Sequence, residues 1–448
     1  MWTVWRWAGA CQGLLRGPAW RPEQIAAFQS RRLRALVLHA YQRVPYYRRL
    51  YEQAGLKPDD IRSLADLGRI PLASRADLQE LPAHQVLAQG VDPRRLVLHR
   101  TSGSSGAPLS VWRTRFEERL LQAYRLKVTF GLGVRPTDRR VSVGWPPPEG
   151  RPDRHFLMKL GLFRMEEIHC VLPAGEMLAQ LRRIQPDVVG GCAGTLSWLA
   201  GLLTDSDRAQ IRPRLVTAGA ETLTGEMRRQ ISEGFRAPVL DFYGSHEFNL
   251  IAADCPRTGQ YHIAEPMLIA EILRDGRPVK PGETGELVGT ALHSHAMPFI
   301  RYRLGDLVTR GEARCPCGAA FATIARIEGR MMEHFLLPDG SSVHPYGVVR
   351  PLTSEAPWLR RYQIVQDQAD HVTVKLAPMT EPPPGEVATL ERRITAAFGG
   401  QVRVELQLVD QILPEPNGKF RPYYSLVGRD GEQVACPRSD GTSPGAAS

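Results

Sequence analysis

The sequence has no run of about 18 or more apolar residues, so no segment reads as a membrane-spanning helix. Cysteine is scarce and odd in number, with seven at positions 11, 170, 192, 255, 315, 317 and 436. That excludes a disulfide framework and makes a reducing cytoplasm the expected compartment. The first twenty residues lack the long apolar core of a signal peptide. They do carry Trp2, Trp5, Trp7 and Trp20 beside Arg6 and Arg16. Such residues suit a helix packed on the body, the preferred reading, or a peripheral contact with a membrane surface. No basic low-complexity tail exists either. The net charge of +10 is spread along the chain, which fits a small polyanionic ligand and gives no reason to expect nucleic acid.

What is present is ordinary globular composition, 43% hydrophobic and 23% charged, over 448 residues, long enough for two unequal domains. From about 22 to 81 the pattern is helical, with Leu33, Leu36, Val37 and Ala40 at the spacing of one buried face. Breaks fall at Val44-Pro45, Gly55-Leu56 and Pro71. Short apolar runs then alternate with amphipathic stretches: 96–98, 140–143, 188–190, 215–217 and 239–242. That alternation predicts a mainly parallel sheet with crossover helices. From 265 to 290 the pattern turns to antiparallel hairpins around Asp275-Gly276 and Pro281-Gly282. The expected fold class is therefore α/β. A large N-terminal domain, residues 1–330, has mainly parallel sheets and helices plus an antiparallel hairpin region. A small mobile α+β C-terminal domain follows over 331–429, and the Gly-, Ser- and Pro-rich residues 430–448 read as a disordered tail.

The first chemical signal is the octapeptide Thr101, Ser102, Gly103, Ser104, Ser105, Gly106, Ala107, Pro108, just after an apolar run. Small residues leave backbone N–H groups free to converge on phosphate oxygens, and the hydroxyls add donors. No Gly-Lys-Ser/Thr follows, so it is not a Walker loop. A plain flexible Ser/Gly loop is the competing reading.

This octapeptide resembles the signature of the adenylate-forming superfamily of acyl-CoA synthetases, and further matches follow in that family's order. Ala218-Gly219-Ala220-Glu221 resembles the turn beside the adenine. Tyr243-Gly244-Ser245-His246-Glu247 resembles the Tyr-Gly-x-x-Glu segment, with an aromatic against the nucleotide and a glutamate that helps hold Mg²⁺. Tyr302-Arg303-Leu304-Gly305-Asp306 resembles the segment whose aspartate binds the ribose hydroxyls. Gly329-Arg330 resembles the interdomain hinge, and Asn417-Gly418-Lys419 the loop with the catalytic lysine. Tyr41 to Leu50, Ala54 to Leu56 and Ile70 to Leu72 are similar to the opening of the phenylacetate–CoA ligase and capsule-biosynthesis branch.

The resemblance implies an enzyme that uses ATP to turn a small-molecule carboxylic acid into an acyl-adenylate, with transfer to CoA as the second step. It implies Thr101, Glu247 and Lys419 as catalytic residues. A carboxylate attacking the α-phosphorus meets concentrated negative charge, which a lysine and Mg²⁺ would offset. Met331, Met332 and Glu333 depart from the usual hinge, and residues 336–345 from the usual glycine-rich segment after it. A non-CoA acceptor in envelope or capsule polysaccharide assembly is therefore an alternative, and an inactive nucleotide-binding scaffold is another. The acid pocket is expected between 143–148, 190–195 and 218–243. There Trp145 reads equally as an aromatic wall or a core residue. His246 reads as a substrate contact or a structural histidine. The small residues Gly190, Gly191, Ala193 and Gly194 either leave room for a bulky acid or permit tight helix–strand packing.

A second signal is Cys255 and His262 with Cys315 and Cys317. Three thiols and an imidazole in two short pairs are what a closed, tetrahedral structural Zn²⁺ needs, against the reading of unrelated loop residues. Oligomeric state leaves no mark in the sequence.

Overall fold

Pro22 opens the first helix, α1 (Pro22–Arg43), at the position where a missing N–H costs nothing. Ile25, Phe28, Gln29, Leu33, Leu36, Val37 and Ala40 form its buried face. The helix stops at Val44 because a proline follows: Val44 is forced to extended backbone, and Pro45 starts α2 (Pro45–Gln53). Short 3₁₀ turns at Pro58–Asp60 and Leu64–Arg69 complete the helical opening. The opening is tied to the antiparallel region of the sheet by specific bonds. Gln29 donates to the carbonyls of Glu265 (2.9 Å) and Leu268 (3.1 Å). The Tyr47 hydroxyl donates to Pro298 O (3.1 Å) and accepts from Ile300 N (2.9 Å).

The structure is a computed structural model that describes residues 20–79, 81–100, 109–144, 160–170, 172–330, 335–339, 342, 343, 348, 352, 356, 358–412 and 423–427. The octapeptide 101–108, Trp145, Met331 to Glu333, the tail from 430 and Lys419 lie outside them, as do Trp2, Trp5 and Trp7. Trp20 is buried against Phe28.

The chain divides into two compact units that part between Met331 and Met332. The first is built on one twelve-stranded sheet. Its parallel half is β4 (Met165–His169), β3 (Arg140–Gly144), β5 (Val188–Cys192), β6 (Leu215–Gly219) and β7 (Val239–Tyr243), in that order. The helices between them include α4 (Ala174–Ile184), α5 (Ala193–Leu202) and α6 (Gly225–Phe235), whose apolar faces meet the sheet in a second core. From β7 the sheet continues antiparallel through β8 (Ala252–Asp254) and β9 (Tyr261–Ile263) to β14 (Thr323–Arg330). It goes on through β13 (Tyr302–Arg310), β12 (Thr284–Ala291), β10 (Leu268–Arg274) and β11 (Arg277–Pro278). Asp275 and Gly276 both take positive φ at the β10–β11 turn, the backbone that a tight hairpin demands.

One strand departs from the parallel pattern the sequence suggests. β1 (Val97–Arg100) joins no crossover unit; it pairs antiparallel with β2 (Ser110–Arg113), so residues 101–108 link two strands of a ribbon. The reason is chain length, because a parallel neighbour needs a dozen or more residues to cross over and β2 begins ten residues after Arg100. The glycines of β5 also have a definite role. A Cβ on Gly191 would stand 2.6 Å from the Val143 carbonyl, and one on Gly190 2.8 Å from Thr217 Oγ1. At Gly191 the neighbour is backbone, so close strand packing alone requires glycine there.

The second unit has a four-stranded sheet in the order β19 (Arg403–Leu408), β18 (His371–Pro378), β17 (Leu359–Gln368), β20 (Tyr423–Ser425). Helix α7 (Glu386–Ala397) buries Leu390 and Ile394 in its core with Phe398 and Trp358. A two-stranded hairpin, β15 (Phe335–Leu336) with β16 (Ser342–Val343), precedes it. The fully buried Gln366 accepts from Leu336 N (3.0 Å) and Ser425 Oγ (2.8 Å), and donates back to the Leu336 carbonyl.

Candidate active site

In an open parallel sheet, ligands bind outside the carboxyl ends of the strands. Among the described residues, Ala220 and Glu221 follow the carboxyl end of β6, and Tyr243 to Glu247 lie at and beyond that of β7. β6 runs into Ala220, which holds a left-handed backbone (φ 64°) that no ordinary turn requires of an alanine. That conformation delivers the Glu221 carboxylate to the first turn of α5, where it accepts from Gly194 N at 2.6 Å. β7 ends at Tyr243. Gly244 then passes so close to the chain at Asn249 that a Cβ would lie 2.0 Å from its carbonyl oxygen, so only glycine fits.

Across the sheet, β13 carries the aspartate. Its register against β12 slips between Glu286 and Val288, so Leu304, Gly305 and Asp306 together stand opposite Leu287 alone. Such a bulge re-aims a side chain, and Gly305 supplies its positive φ of 76°. Asp306 is thereby turned, 8% exposed, to accept a short hydrogen bond from the Tyr243 hydroxyl. The neighbouring Tyr302 hydroxyl reaches Glu247 Oε1 at 3.3 Å, and Glu247 is itself buried. A carboxylate accepting one such bond keeps acceptor capacity for a hard cation, which fits the Mg²⁺ role expected of Glu247. Ser245 Oγ accepts from Phe248 N at 3.3 Å and closes the loop between them. Arg330 stands opposite Asp306 in the β13–β14 register.

Three residues that the sequence reading passed over anchor the ends of the 101–108 segment. His99, on β1, meets Glu118 of α3 (Arg115–Gly131) at 3.0 Å. Arg113, at the end of β2, meets the same oxygen at 3.0 Å and also donates to the His246 carbonyl. Burial opposes a charge on Glu118, yet the hydrogen bonds from His99, Gln122 and Arg113 prevail and hold its carboxyl down at about 2. The His99 and His246 rings lie 5.9 Å apart, so His246 faces the β1–β2 ribbon. A signal for this anchor existed. Thr114 and Glu117 form a capping box, marking a helix start just where the ribbon ends.

The second constellation is equally compact. Cys255, His262, Cys315 and Cys317 bring their ligand atoms within 4.8 Å of one another. Cys255 Sγ and Cys315 Sγ are 3.8 Å apart, and Cys317 Sγ is 3.4 Å from His262 Nε2. Bonds of about 2.3 Å to sulfur and 2.0 Å to nitrogen at a tetrahedral angle imply separations of about 3.8 and 3.5 Å. Thr258 Oγ1 (3.3 Å from Cys315 Sγ) and Ala319 N (3.4 Å from Cys317 Sγ) supply donors to the sulfurs. Burial also lowers the pKa of His262, favouring the neutral imidazole that ligates metals. The donor set fits zinc.

The order of these segments and the meeting of Tyr243 with Asp306 are those expected of an adenylate-forming ligase. Similarity to known proteins bears on that expectation directly. A phenylacetate-coenzyme A ligase of Pseudomonas putida is 30% identical over 340 residues, covering 72% of this chain and 74% of the relative. One of Thermus thermophilus is 28% identical over 374 residues, covering 77% and 78%. Residues 335–424 match the family model of the CapK C-terminal domain. The fold is that of a solved 2-hydroxyisobutyryl-CoA ligase in its postadenylation state, with a TM-score of 0.74 at 20% identity over 90% of both chains. The chain belongs to the phenylacetate–coenzyme A ligase family and is an AMP-forming acid–CoA ligase.

Proposed function

We propose that the protein activates an aryl-substituted acid of the phenylacetate kind, and that the singled-out residues divide the work as follows. The acid's carboxylate oxygen attacks the α-phosphorus of ATP, and pyrophosphate leaves. Backbone and hydroxyl donors of Thr101 to Gly106 hold the phosphates, and Lys419 offsets the negative charge gathering on the transferring group. Asp306 accepts from the ribose hydroxyls, Tyr243 lies against the nucleotide, and Ala220 and Glu221 border the adenine. Arg330 acts as the hinge. Glu247 would hold Mg²⁺, which supplies charge neutralisation on the phosphates. The thiolate of CoA then attacks the acyl carbonyl, and AMP leaves with the electron pair of the broken anhydride bond. Cys255, His262, Cys315 and Cys317 would hold a structural zinc with no open position.

The observation that supports this reading best is the pairing of Tyr243 with Asp306, which converges two separately recognised motifs on one spot. Among the described residues no helix is long and apolar enough to cross a membrane. The test is an incubation with ATP, Mg²⁺ and a panel of aryl and aliphatic acids, with and without CoA. Acid-dependent pyrophosphate release without CoA and a thioester with it are expected, strongest for arylacetic acids. Acyl-AMP that accumulates and never becomes a thioester would assign a different acceptor. Preference for a short aliphatic acid would overturn the substrate.

A further inference from the structure

The twelve-stranded sheet is thinly joined through its middle, where β7 meets β8 and β9 meets β14 by two residue pairs each. Between its parallel-derived half, ending at β9, and its antiparallel half, starting at β14, the register consists of two residue pairs, Thr323↔His262 and Ile324↔Tyr261. The strands on the β9 side are three residues each, too short to hold a fixed geometry by pairing alone. Yet the nucleotide residues lie on opposite sides of this joint. Tyr243 is in β7 and Asp306 in β13, and the hydrogen bond between them spans it.

The Cys/His cluster sits on the joint itself. His262 belongs to one of its two residue pairs. Cys255 directly follows β8, whose Ala252 is the register partner of Tyr243; the adjoining Ile251 N–H donates to the Tyr243 carbonyl at 2.9 Å. Cys315 and Cys317 lie in the loop that leaves β13, the strand of Asp306. Arg257 reaches across to the Cys317 carbonyl (3.1 Å), so the two knuckles also meet through protein bonds.

We propose that the metal held by Cys255, His262, Cys315 and Cys317 is a positioning centre for the nucleotide pocket. It fixes the spacing of Tyr243 and Asp306 by riveting the two halves of the sheet. This rests on the reading above that zinc fills the cluster, and adds a role in ATP recognition. Other bonds cross the same joint: Ile263 N to Ala322 O (2.9 Å), Ala322 N to Glu265 Oε2 (2.9 Å) and Thr323 Oγ1 to Gln260 Oε1 (2.7 Å). These hold the sheet together when the metal leaves, so the loss falls on alignment and not on folding.

The experiment compares wild type, chelator-stripped wild type, Cys317→Ser and Cys317→His, measuring zinc per chain, thermal unfolding, ATP affinity by calorimetry, and KM and kcat. Cys317 is chosen because it is half-buried and its replacement disturbs the core least. Stripped protein and Cys317→Ser should stay folded and bind ATP about tenfold or more weakly, the scale on which a displacement of about 1 Å at a positioned group is felt. At saturating ATP, kcat should stay within about twofold, because the reacting groups lie elsewhere. Cys317→His keeps four ligands and should recover both zinc and affinity. Zinc lost with ATP affinity unchanged overturns the positioning role and leaves the zinc reading standing. A wild type that carries no zinc removes the zinc reading beneath it. Unfolding in both Cys317→Ser and the stripped protein assigns the metal to folding alone, which also overturns the proposal.

Discussion

Arg301 illustrates how much one side chain can carry. It adopts a left-handed backbone (φ 45°) just before β13, unusual for any residue but glycine or asparagine. Its guanidinium makes a two-pronged pair with Glu271 (2.9 and 2.9 Å) and donates to the carbonyls of Gly68 and Ile70. The arginine thus locks the helical opening to the strand that presents Asp306. Arg301→Met should cost about 2–3 kcal/mol in chemical denaturation, chiefly from leaving the partly buried Glu271 unpaired. His293 offers a second test at this scale. Its Nε2 donates to Pro266 O (2.9 Å), while Nδ1 accepts from Arg32 (3.0 Å), so only the neutral ring is satisfied. Burial, reinforced by Arg32, pushes its pKa down to about 3. The unfolded chain takes up a proton that the folded one refuses. Stability is therefore lost as pH falls below about 6.5, and the loss is complete near 3. The stability gap between wild type and His293→Asn should shrink by about 2 kcal/mol from pH 7 to pH 5. A gap that does not move with pH would mean the ring is protonated in the fold.

At the scale of elements, the link from β7 to β8 is built around Gly244. A methyl group there meets Asn249 O at 2.0 Å, so Gly244→Ala must push the Tyr243–Glu247 loop away from β8. ATP affinity should fall by about tenfold or more while thermal stability falls only modestly. Calorimetric titration of the variant checks this, and unaltered affinity would show that the loop tolerates the shift. The strands of this region were legible in the sequence because period and turn chemistry are local. Asp275-Gly276 announced its hairpin, and the apolar runs of β3, β5, β6 and β7 announced theirs. The antiparallel ribbon of β1 and β2 was not legible, since which strand pairs with which is settled by tertiary neighbours. Nor was the bulge at Gly305, which exists only relative to β12.

For the whole molecule, order along the chain carried most of the functional information. Six short segments, none decisive alone, fall in the order of one family, and the fold brings Tyr243 to Asp306. The pairing of Tyr302 with Glu247 and the His99–Arg113–Glu118 anchor could not be read from spacing, because their partners are 5 to 55 residues apart with no shared period. The role proposed for Lys419 predicts a distinct phenotype for Lys419→Ala. Acid-dependent pyrophosphate release should drop by about a hundredfold or more, the usual cost of removing one charge-stabilising donor. ATP binding, by contrast, should stay within about twofold. Equal loss of both, in release and equilibrium-binding assays on the same preparation, would assign the lysine a structural role.

The glycines of β5 set a limit on redesign. A larger residue at Gly191 meets the Val143 carbonyl and must move a neighbouring strand, whereas one at Gly190 must displace the Thr217 side chain. A mutational library aimed at a new acid would waste its diversity at Gly191. A library that spares Gly191 would leave the backbone floor of the sheet unchanged in every member.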